Sequence, residues 1–336
     1  GEITPPPSKS FGHRALICAA LAAASTGKGS VISNAGPSDD IEATRQALPR
    51  FGAEAELADG RMIVRPVKSG RRQTIDCAES GSTLRFLLPL AAAVSEGKTS
   101  FTGRGRLLAR PLSAYADIFA GVGVIFEQSE HEVSVEGRLP GGRYRLPGDI
   151  SSQFVSGLLM ALPLADEDSV LELTTPLESA AYVEMTLEVM KVFGVKAERI
   201  SDSLFSVPGR QTYRPADYRL EADYSQAAFF LAAAALGRPV RCLNLKPDSI
   251  QGDRAILSFL ESMGGEIIWS DDAVTVRRAW QLKGATVYVR ETPDLAPVLS
   301  AIMSLAPGES RIINAGRLRL KESDRLSPMA QEPTAL

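Results

Sequence analysis

Residues 51–64 (FGAEAELADGRMIV) contain the pattern that decides the fold. Gly52 follows an amphipathic stretch and has the place of a helix C-cap, where a left-handed residue ends the helix. The alternating residues after it, interrupted by Asp59-Gly60, predict two strands joined by a tight turn. The stretch therefore predicts a helix, a terminating glycine and a hairpin, in that order.

The same glycine context recurs along the chain with a constant step. Gly52, Gly123, Gly194 and Gly264 are 71, 71 and 70 residues apart. A polar helix cap before an Ala/Leu-rich run repeats with nearly the same step, at Ser10, Ser82, Ser152, Ser225 and Asp294. Two landmarks with one period indicate repeated units of the form βαβαββ. We expect four complete units and a fifth that breaks off.

The fifth unit is predicted to be incomplete. Its second helix should start near Ser323. By the measured period, its landmark glycine should fall at about residue 334. The chain given stops at Leu336, so we expect two closing strands to be missing and a sheet edge to be uncovered, which favours self-association. Alternation in Arg317-Leu318-Arg319-Leu320 predicts a strand with basic residues on one face.

Composition narrows the class of protein. The 336 residues suggest two domains, and a net charge of -3 disfavours a primary role in gripping nucleic acid or an anionic membrane. Two histidines and three scattered cysteines predict no metal site, and the odd cysteine count is typical of a reducing cytosol. No stretch predicts a membrane span or signal peptide. We expect a soluble cytoplasmic protein whose partners are small molecules.

The first helix offers a candidate anion site. Lys9 and Ser10 follow Pro5-Pro6-Pro7, Ser10 can cap the helix, and Arg14 lies one turn further on the same side. A helix N-terminus with a hydroxyl, an ammonium and a guanidinium suits a phosphate or carboxylate. Taken alone, an ordinary serine cap beside solvated basic residues is the commoner explanation.

Similar polar clusters stand at equivalent places in the other units. They are Gly81 with Arg85, the arginine-rich loop Gly103–Pro111 with Arg106, Ser151-Ser152-Gln153, Ser179 with Tyr182, Asp294, and the segment Lys321-Glu322-Ser323-Asp324-Arg325. Each alone is as well explained by a capped helix or a solvated surface. Repetition at the same helix ends predicts that they converge on a cleft for polyanionic ligands. No catalytic triad, Walker loop or dinucleotide fingerprint is present.

Taken in order, these motifs closely resemble the 5-enolpyruvylshikimate-3-phosphate synthase family, from Pro6 to about Leu336. The resemblance implies an α/β fold of the enolpyruvyl transferase type, an inside-out α/β barrel with three βαβαββ units in each of two domains. It implies a three-unit domain at residues 9–220 and a second domain at residues 1–8 plus 221–336, lacking its sixth unit. It also implies a monomer that transfers the enolpyruvyl group of phosphoenolpyruvate to the 5-hydroxyl of shikimate 3-phosphate, with no metal or organic cofactor.

The resemblance also implies which residues bind and react. Shikimate 3-phosphate is expected to contact Lys9, Ser10, Arg14, Ser151, Ser152, Gln153, Ser179, Tyr182, Asp294 and Lys321. Phosphoenolpyruvate is expected to contact Lys9, Gly81, Arg106, Gln153 and Arg325. Catalysis is expected from Lys9, with Asp294 as the base and Glu322 as the proton donor.

Two departures from the family pattern keep alternatives open. Glu79 stands where many relatives have an asparagine, and later segments with an Asp-His-Arg and a Lys-Ser motif are absent. A shikimate 3-phosphate-binding remnant without catalysis is therefore one alternative. The sibling enzyme that uses a UDP-sugar is less favoured, because its loop cysteine has no counterpart between Gly103 and Pro111.

Overall fold

A computed structural model describes residues 1–68, 74–94, 97–278, 281–320 and 324–335. The chain divides into two compact units, one formed by Lys9–Leu220 and the other by Gly1–Ser8 together with Glu221–Leu336. We call them the large unit and the small unit. None of the helices in the described ranges combines the length and apolar character needed to span a membrane.

The strands and helices of both units follow the predicted repeat. The small unit starts the chain with β1 (Glu2–Ile3). The large unit contains α1 (Lys9–Thr26), β2 (Ser30–Ser33), α2 (Asp39–Ala47), β3 (Ala53–Ala58), β4 (Arg61–Pro66), β5 (Thr74–Asp76), α3 (Gly81–Val94), β6 (Thr99–Thr102), α4 (Ser113–Gly121), β7 (Ile125–Gln128), β8 (Val133–Glu136), β9 (Gly142–Leu146), α5 (Ser152–Ala161), β10 (Ser169–Leu173), α6 (Ala180–Val192), β11 (Glu198–Ser201), β12 (Leu204–Val207) and β13 (Tyr218–Arg219). The small unit continues with α7 (Tyr224–Leu236), β14 (Val240–Cys242), α8 (Ile256–Ser262), β15 (Glu266–Ser270), β16 (Ala273–Arg277), β17 (Thr286–Tyr288), α9 (Ala296–Ser304), β18 (Arg311–Ile313) and α10 (Leu326–Ala335).

Four sheets of four strands share one topology. Their orders are β13-β2-β4-β3, β5-β6-β8-β7, β9-β10-β12-β11 and β1-β14-β16-β15. In each, the first two strands are parallel and the remaining pairs are antiparallel. The parallel pair β17-β18 has the pairing that opens each of these sheets. The predicted βαβαββ unit is therefore confirmed.

The first strands of two sheets come from distant parts of the chain. β13 pairs with β2, with Tyr218 opposite Ile32, and β1 pairs with β14, with Glu2 opposite Arg241. Each of these strands has only two residues, too few for an alternating pattern to be recognised in the sequence. The periodicity predicted the units but not which segment completes them.

The landmark glycines have the predicted conformation. Gly52, Gly123, Gly194 and Gly264 have φ values of 80°, 75°, 76° and 101°, a region that residues with a Cβ rarely occupy. The hairpin after Gly52 is also confirmed, because β3 and β4 pair with Ala58 opposite Arg61 across the Asp59-Gly60 turn. The repeat period thus follows a backbone requirement.

Two local predictions were wrong. At two of the five predicted caps the N-cap lies before the predicted residue: the side chains of Ser151 and Asp223 cap α5 and α7, whereas Ser152 and Ser225 lie in the first turn. Similarly, Ser10 is the second residue of α1. Residues 317–320 form the end of a 3-10 helix, Gly316–Leu320, and not a strand. Leu318 is fully buried and its N–H bonds to Ala315, so this local turn prevails over the alternation.

Three helices are buried almost all round. Every residue of α1 from Phe11 to Ala23 is buried, as are nearly all residues of α3 and most of α5. A helix that is apolar on all sides belongs in a core. The polar residues at the N-terminal ends of these helices are therefore held by a rigid interior.

Candidate functional site

Arg14 is the most deeply buried cation among the predicted site residues that the structure describes, with 2% of its surface exposed. Its Nε donates to Thr186 Oγ1 at 2.7 Å, and its Nη1 donates to the Ser10 carbonyl at 2.6 Å. Its Nη2 donates to Ser156 Oγ at 3.2 Å and to the Tyr182 carbonyl at 2.8 Å. Arg14 therefore joins α1, α5 and α6 at their N-terminal halves.

The charge of Arg14 is offset only by neutral groups among the described residues. Its four acceptors are two hydroxyls and two backbone carbonyls, and the ring of Phe86 lies 5.0 Å from its Cζ. Burial lowers its pKa to about 10, which leaves it charged at neutral pH. Since a guanidinium has five N–H groups, one N–H on Nη1 remains for a ligand.

Lys9 and His13 link α1 to α2. Lys9 begins α1, is exposed, and forms a 2.9 Å ion pair with Asp40 Oδ2. His13 is buried, with Nδ1 2.8 Å from Thr44 Oγ1, and Thr44 Oγ1 lies 2.7 Å from Thr83 Oγ1. Burial lowers the pKa of His13 to about 3, so its imidazole is neutral. These contacts hold α1, α2 and α3 together.

The N-terminus of α5 presents three predicted residues. Ser151 is the N-cap and its Oγ accepts the Gln153 N–H at 3.3 Å, while Ser152 is buried. The Gln153 side chain is held between two residues of α3, with its Oε1 2.7 Å from Arg85 Nη1 and its Nε2 2.9 Å from Ser82 Oγ. The structure thus brings Gln153 to the start of α3.

Gly81 begins α3 beneath two guanidinium groups. A Cβ at Gly81 would lie 2.8 Å from Arg110 Nη1 and 2.9 Å from Arg85 Nη1, so a glycine lets both approach. Arg85 is buried, which excludes the alternative of a solvated surface arginine at this helix end. Arg106, from the same loop as Arg110, is exposed.

Glu79 packs against the arginine loop. The carboxylate of the exposed Glu79 lies against Gly105, where a Cβ would be 2.5 Å from Glu79 Oε1. The neighbouring backbone is joined to the loop by a 2.7 Å hydrogen bond from Arg104 N to Ala78 O.

Ser179 and Tyr182 mark the start of α6. Ser179 is the buried N-cap residue, with a left-handed φ of 57°, and Tyr182 falls in the first turn of the helix. The carbonyl of Tyr182 accepts from Arg14. The large unit therefore brings Ser10, Arg14 and Tyr182 together, and separately brings Gln153 to Arg85.

The small unit contains an ion pair of two predicted site residues, Asp294 and Arg325. Asp294 lies in a 3-10 turn, Pro293–Leu295, directly before α9, and its Oδ1 is 2.7 Å from Arg325 Nη1. Both side chains are 29% exposed. Lys321 and Glu322, which the resemblance implies as a ligand and as the proton donor, lie outside the described residues.

The sequence singled out one of the residues that hold the site residues in place, Arg85, but not Thr186, Ser156 or Asp40. Thr186 and Ser156 hold Arg14, Asp40 holds Lys9, and Arg85 holds Gln153. The signal for Arg85 was its place three residues after the polar residue Ser82, similar to that of Arg14 four residues after Ser10. Within the described ranges, no cluster of His, Cys, Asp and Glu side chains is arranged to hold a metal ion.

Solved structures with the same fold define the class of protein. An EPSP synthase from Acinetobacter baumannii matches with a TM-score of 0.80 and 23% identity, over 98% of this chain and 77% of that one. The enolpyruvyl transferase NikO from Streptomyces tendae matches with a TM-score of 0.74 and 18% identity, over 93% and 74% of the two chains. The chain has the enolpyruvyl transferase fold.

Sequence comparison then gives the family. The family model "EPSP synthase (3-phosphoshikimate 1-carboxyvinyltransferase)" matches residues 1–335. A 3-phosphoshikimate 1-carboxyvinyltransferase from Clostridium kluyveri is 43% identical over 336 residues, covering 99% of this chain and 78% of the relative. One of the same name from Clostridium perfringens is 42% identical over 337 residues, with the same coverage. The chain belongs to the EPSP synthase family of enzymes.

Proposed function

We propose that this chain transfers the enolpyruvyl group of phosphoenolpyruvate to the 5-hydroxyl of shikimate 3-phosphate, in the pathway to chorismate. Membership of the EPSP synthase family supports the reaction. The arrangement of Arg14 supports the binding of an anionic acceptor by the large unit, and it is the observation that carries the proposal.

A buried cation with only neutral partners favours an anion nearby. Burying a charge costs free energy unless an opposite charge or strong hydrogen bonds offset the lost hydration. Arg14 has hydrogen bonds but no carboxylate among the described residues. We therefore propose that shikimate 3-phosphate binds beside Arg14, with Ser10, Ser151, Ser152, Gln153, Ser179 and Tyr182 as further contacts.

We propose Lys9, Gly81, Arg106, Gln153 and Arg325 as the contacts of phosphoenolpyruvate. The exposed ammonium of Lys9 and the guanidinium of Arg106 can offset phosphate and carboxylate charge. Gly81 adds the N-terminus of α3, where backbone N–H groups and the helix dipole attract anions.

The reaction needs a base and an acid. The 5-hydroxyl oxygen bonds to C2 of phosphoenolpyruvate, its proton leaves, and the methylene carbon takes up a proton to give a tetrahedral intermediate. The bond from C2 to the phosphate oxygen then breaks, phosphate leaves, and loss of a methyl proton restores the double bond. We propose Asp294 as the base and Glu322 as the acid, with Lys9 stabilising the departing phosphate. Lys321 is proposed as a further contact of shikimate 3-phosphate.

Location and assembly are proposals of the same kind. The buried free thiols of Cys18, Cys77 and Cys242 suit a reducing compartment and support a cytoplasmic location. We propose that the protein acts as a monomer, as the resemblance implies.

The proposed function is tested by titration calorimetry with shikimate 3-phosphate, followed by phosphoenolpyruvate while phosphate release is measured. Saturable binding followed by phosphate release is the expected result. Binding without release would contradict the transfer reaction, and no binding would contradict the proposed acceptor site.

The role of Arg14 is tested by Arg14→Lys. Lysine keeps the charge but not the planar fork of donors, so the Kd for shikimate 3-phosphate should rise at least tenfold, or about 1.4 kcal/mol. Arg50→Lys is the matched control, because Arg50 donates to Thr99 from a position beyond the C-terminal end of α2. An equal Kd for shikimate 3-phosphate in Arg14→Lys and Arg50→Lys would contradict the role of Arg14 in binding.

A further inference from the structure

The side-chain amide of Gln153 is held at both of its polar atoms. Arg85 Nη1 lies 2.7 Å from Oε1, and Nε2 lies 2.9 Å from Ser82 Oγ. A guanidinium can only donate hydrogen bonds, so the amide oxygen, and not the nitrogen, must face Arg85. The contact therefore fixes which end of the amide points in each direction.

Arg85 can act in this way because its own position is fixed. It is 5% exposed and its Cζ lies 5.2 Å from the ring centre of Phe154. The buried hydroxyl of Tyr115 donates to the backbone carbonyls of Arg85 at 2.7 Å and Phe154 at 3.2 Å. Gly157 lets α3 and α5 approach, since a Cβ there would lie 2.5 Å from the Arg85 carbonyl oxygen. The helices that carry Arg85 and Gln153 are thus locked together.

We call the two contacts of the Gln153 amide, with Arg85 and with Ser82, the clamp. The clamp determines which hydrogen-bonding groups Gln153 offers to a ligand. The amide has two N–H groups, and within the described residues one of them is taken by Ser82. The second N–H of Nε2 is available to a ligand, and it points in one direction only because the amide cannot turn. If the amide rotated by half a turn, the NH2 group would face the guanidinium donor and the interaction would be repulsive.

We propose that Arg85 is a positioning residue for the transfer reaction, which with Ser82 fixes the amide of Gln153 so that its remaining N–H faces the substrates. The proposal rests on the proposed function, in which Gln153 contacts both shikimate 3-phosphate and phosphoenolpyruvate. Arg85 acts through Gln153 and does not itself contact substrate.

A kinetic double-mutant cycle tests this role. Arg85→Met removes the guanidinium but keeps an unbranched apolar side chain against Phe154. It should raise the KM for phosphoenolpyruvate about tenfold, and Arg85→Lys should recover part of the loss. In a Gln153→Ala background, Arg85→Met should change the KM by less than about twofold, because the group it positions is gone. Full additivity of the two substitutions would overturn the proposal, as would an unchanged KM in Arg85→Met.

A spectroscopic measurement keeps the proposal testable without turnover. In chain labelled with ¹⁵N-glutamine, the side-chain amide signals of Gln153 are identified by their loss in Gln153→Ala. They should shift in Arg85→Met and also in Ser82→Ala, which leaves the buried arginine in place. Arg50→Met is the matched control and should leave them unchanged.

The outcomes separate the two hypotheses. Unshifted Gln153 signals in both Arg85→Met and Ser82→Ala would refute the clamp. Shifted signals in a chain that neither binds nor converts the two substrates would support the clamp and count against the proposed function alone.

Discussion

His13→Asn is expected to remove much of the acid sensitivity of the large unit. His13 is 3% exposed on α1, with Nδ1 2.8 Å from Thr44 Oγ1. Burial lowers its pKa from 6.5 to about 3. The charges of Arg14 and Lys9 act in the same direction and the charge of Asp40 opposes them. Asparagine is chosen because its amide can take the place of Nδ1 but does not titrate.

The direction of the effect follows from the pH at which the unfolded and the folded chain each take up the His13 proton. The unfolded chain binds it near pH 6.5, whereas the folded chain binds it only near pH 3. The contribution of neutral His13 to stability is therefore complete above pH 6.5 and is lost as the pH falls toward 3. Each pH unit in this window costs about 1.4 kcal/mol, so at about pH 4.5 the loss is about 3 kcal/mol.

Urea unfolding at about pH 7 and about pH 4.5 measures the loss. Far-ultraviolet circular dichroism follows the helices of both units. Tryptophan fluorescence follows the small unit alone, because both tryptophans fall within Glu221–Leu336. For the large unit, the difference in unfolding free energy between the two pH values should be about 3 kcal/mol smaller in His13→Asn than in the unaltered chain. His131→Asn, at an exposed position, is the matched control and should behave as the unaltered chain. The same difference in His13→Asn as in the control would refute the reasoning.

Three further outcomes are expected in the large unit. Gly157→Ala should lower the unfolding free energy of the large unit by about 1–3 kcal/mol in thermal melts, because the new Cβ meets the Arg85 carbonyl. Gly121→Ala, whose Cβ would have no atom within 4 Å, is the control and should not lower it. Tyr115→Phe should cost about 1–3 kcal/mol by the same assay, since it removes a donor shared by the carbonyls of Arg85 and Phe154, and an unchanged melt would contradict that role. Burial raises the pKa of the Cys18 and Cys77 thiols, so maleimide labelling at about pH 8 should require unfolding, and rapid labelling of both in native chain would count against their burial.

Much of the fold follows from the sequence because its signals are local. A left-handed residue is needed after each second helix, and glycine supplies it at Gly52, Gly123, Gly194 and Gly264. Alternation and an Asp59-Gly60 turn predict the hairpin correctly. In contrast, β1 and β13 are two-residue strands whose partners lie far along the chain, and only the folded chain shows where they pair.

The same distinction between local signals and long-range contacts applies to the candidate site. The sequence by itself determined the repeating units, the helices and the residue types at their N-terminal ends, because these depend on neighbours a few residues apart. Only the tertiary structure decided that Arg14 bonds to Thr186, 172 residues away, and that Arg85 bonds to Gln153, 68 residues away. Side-chain hydrogen bonds between helices depend on how the helices pack in three dimensions, and no periodic pattern along the chain records that packing.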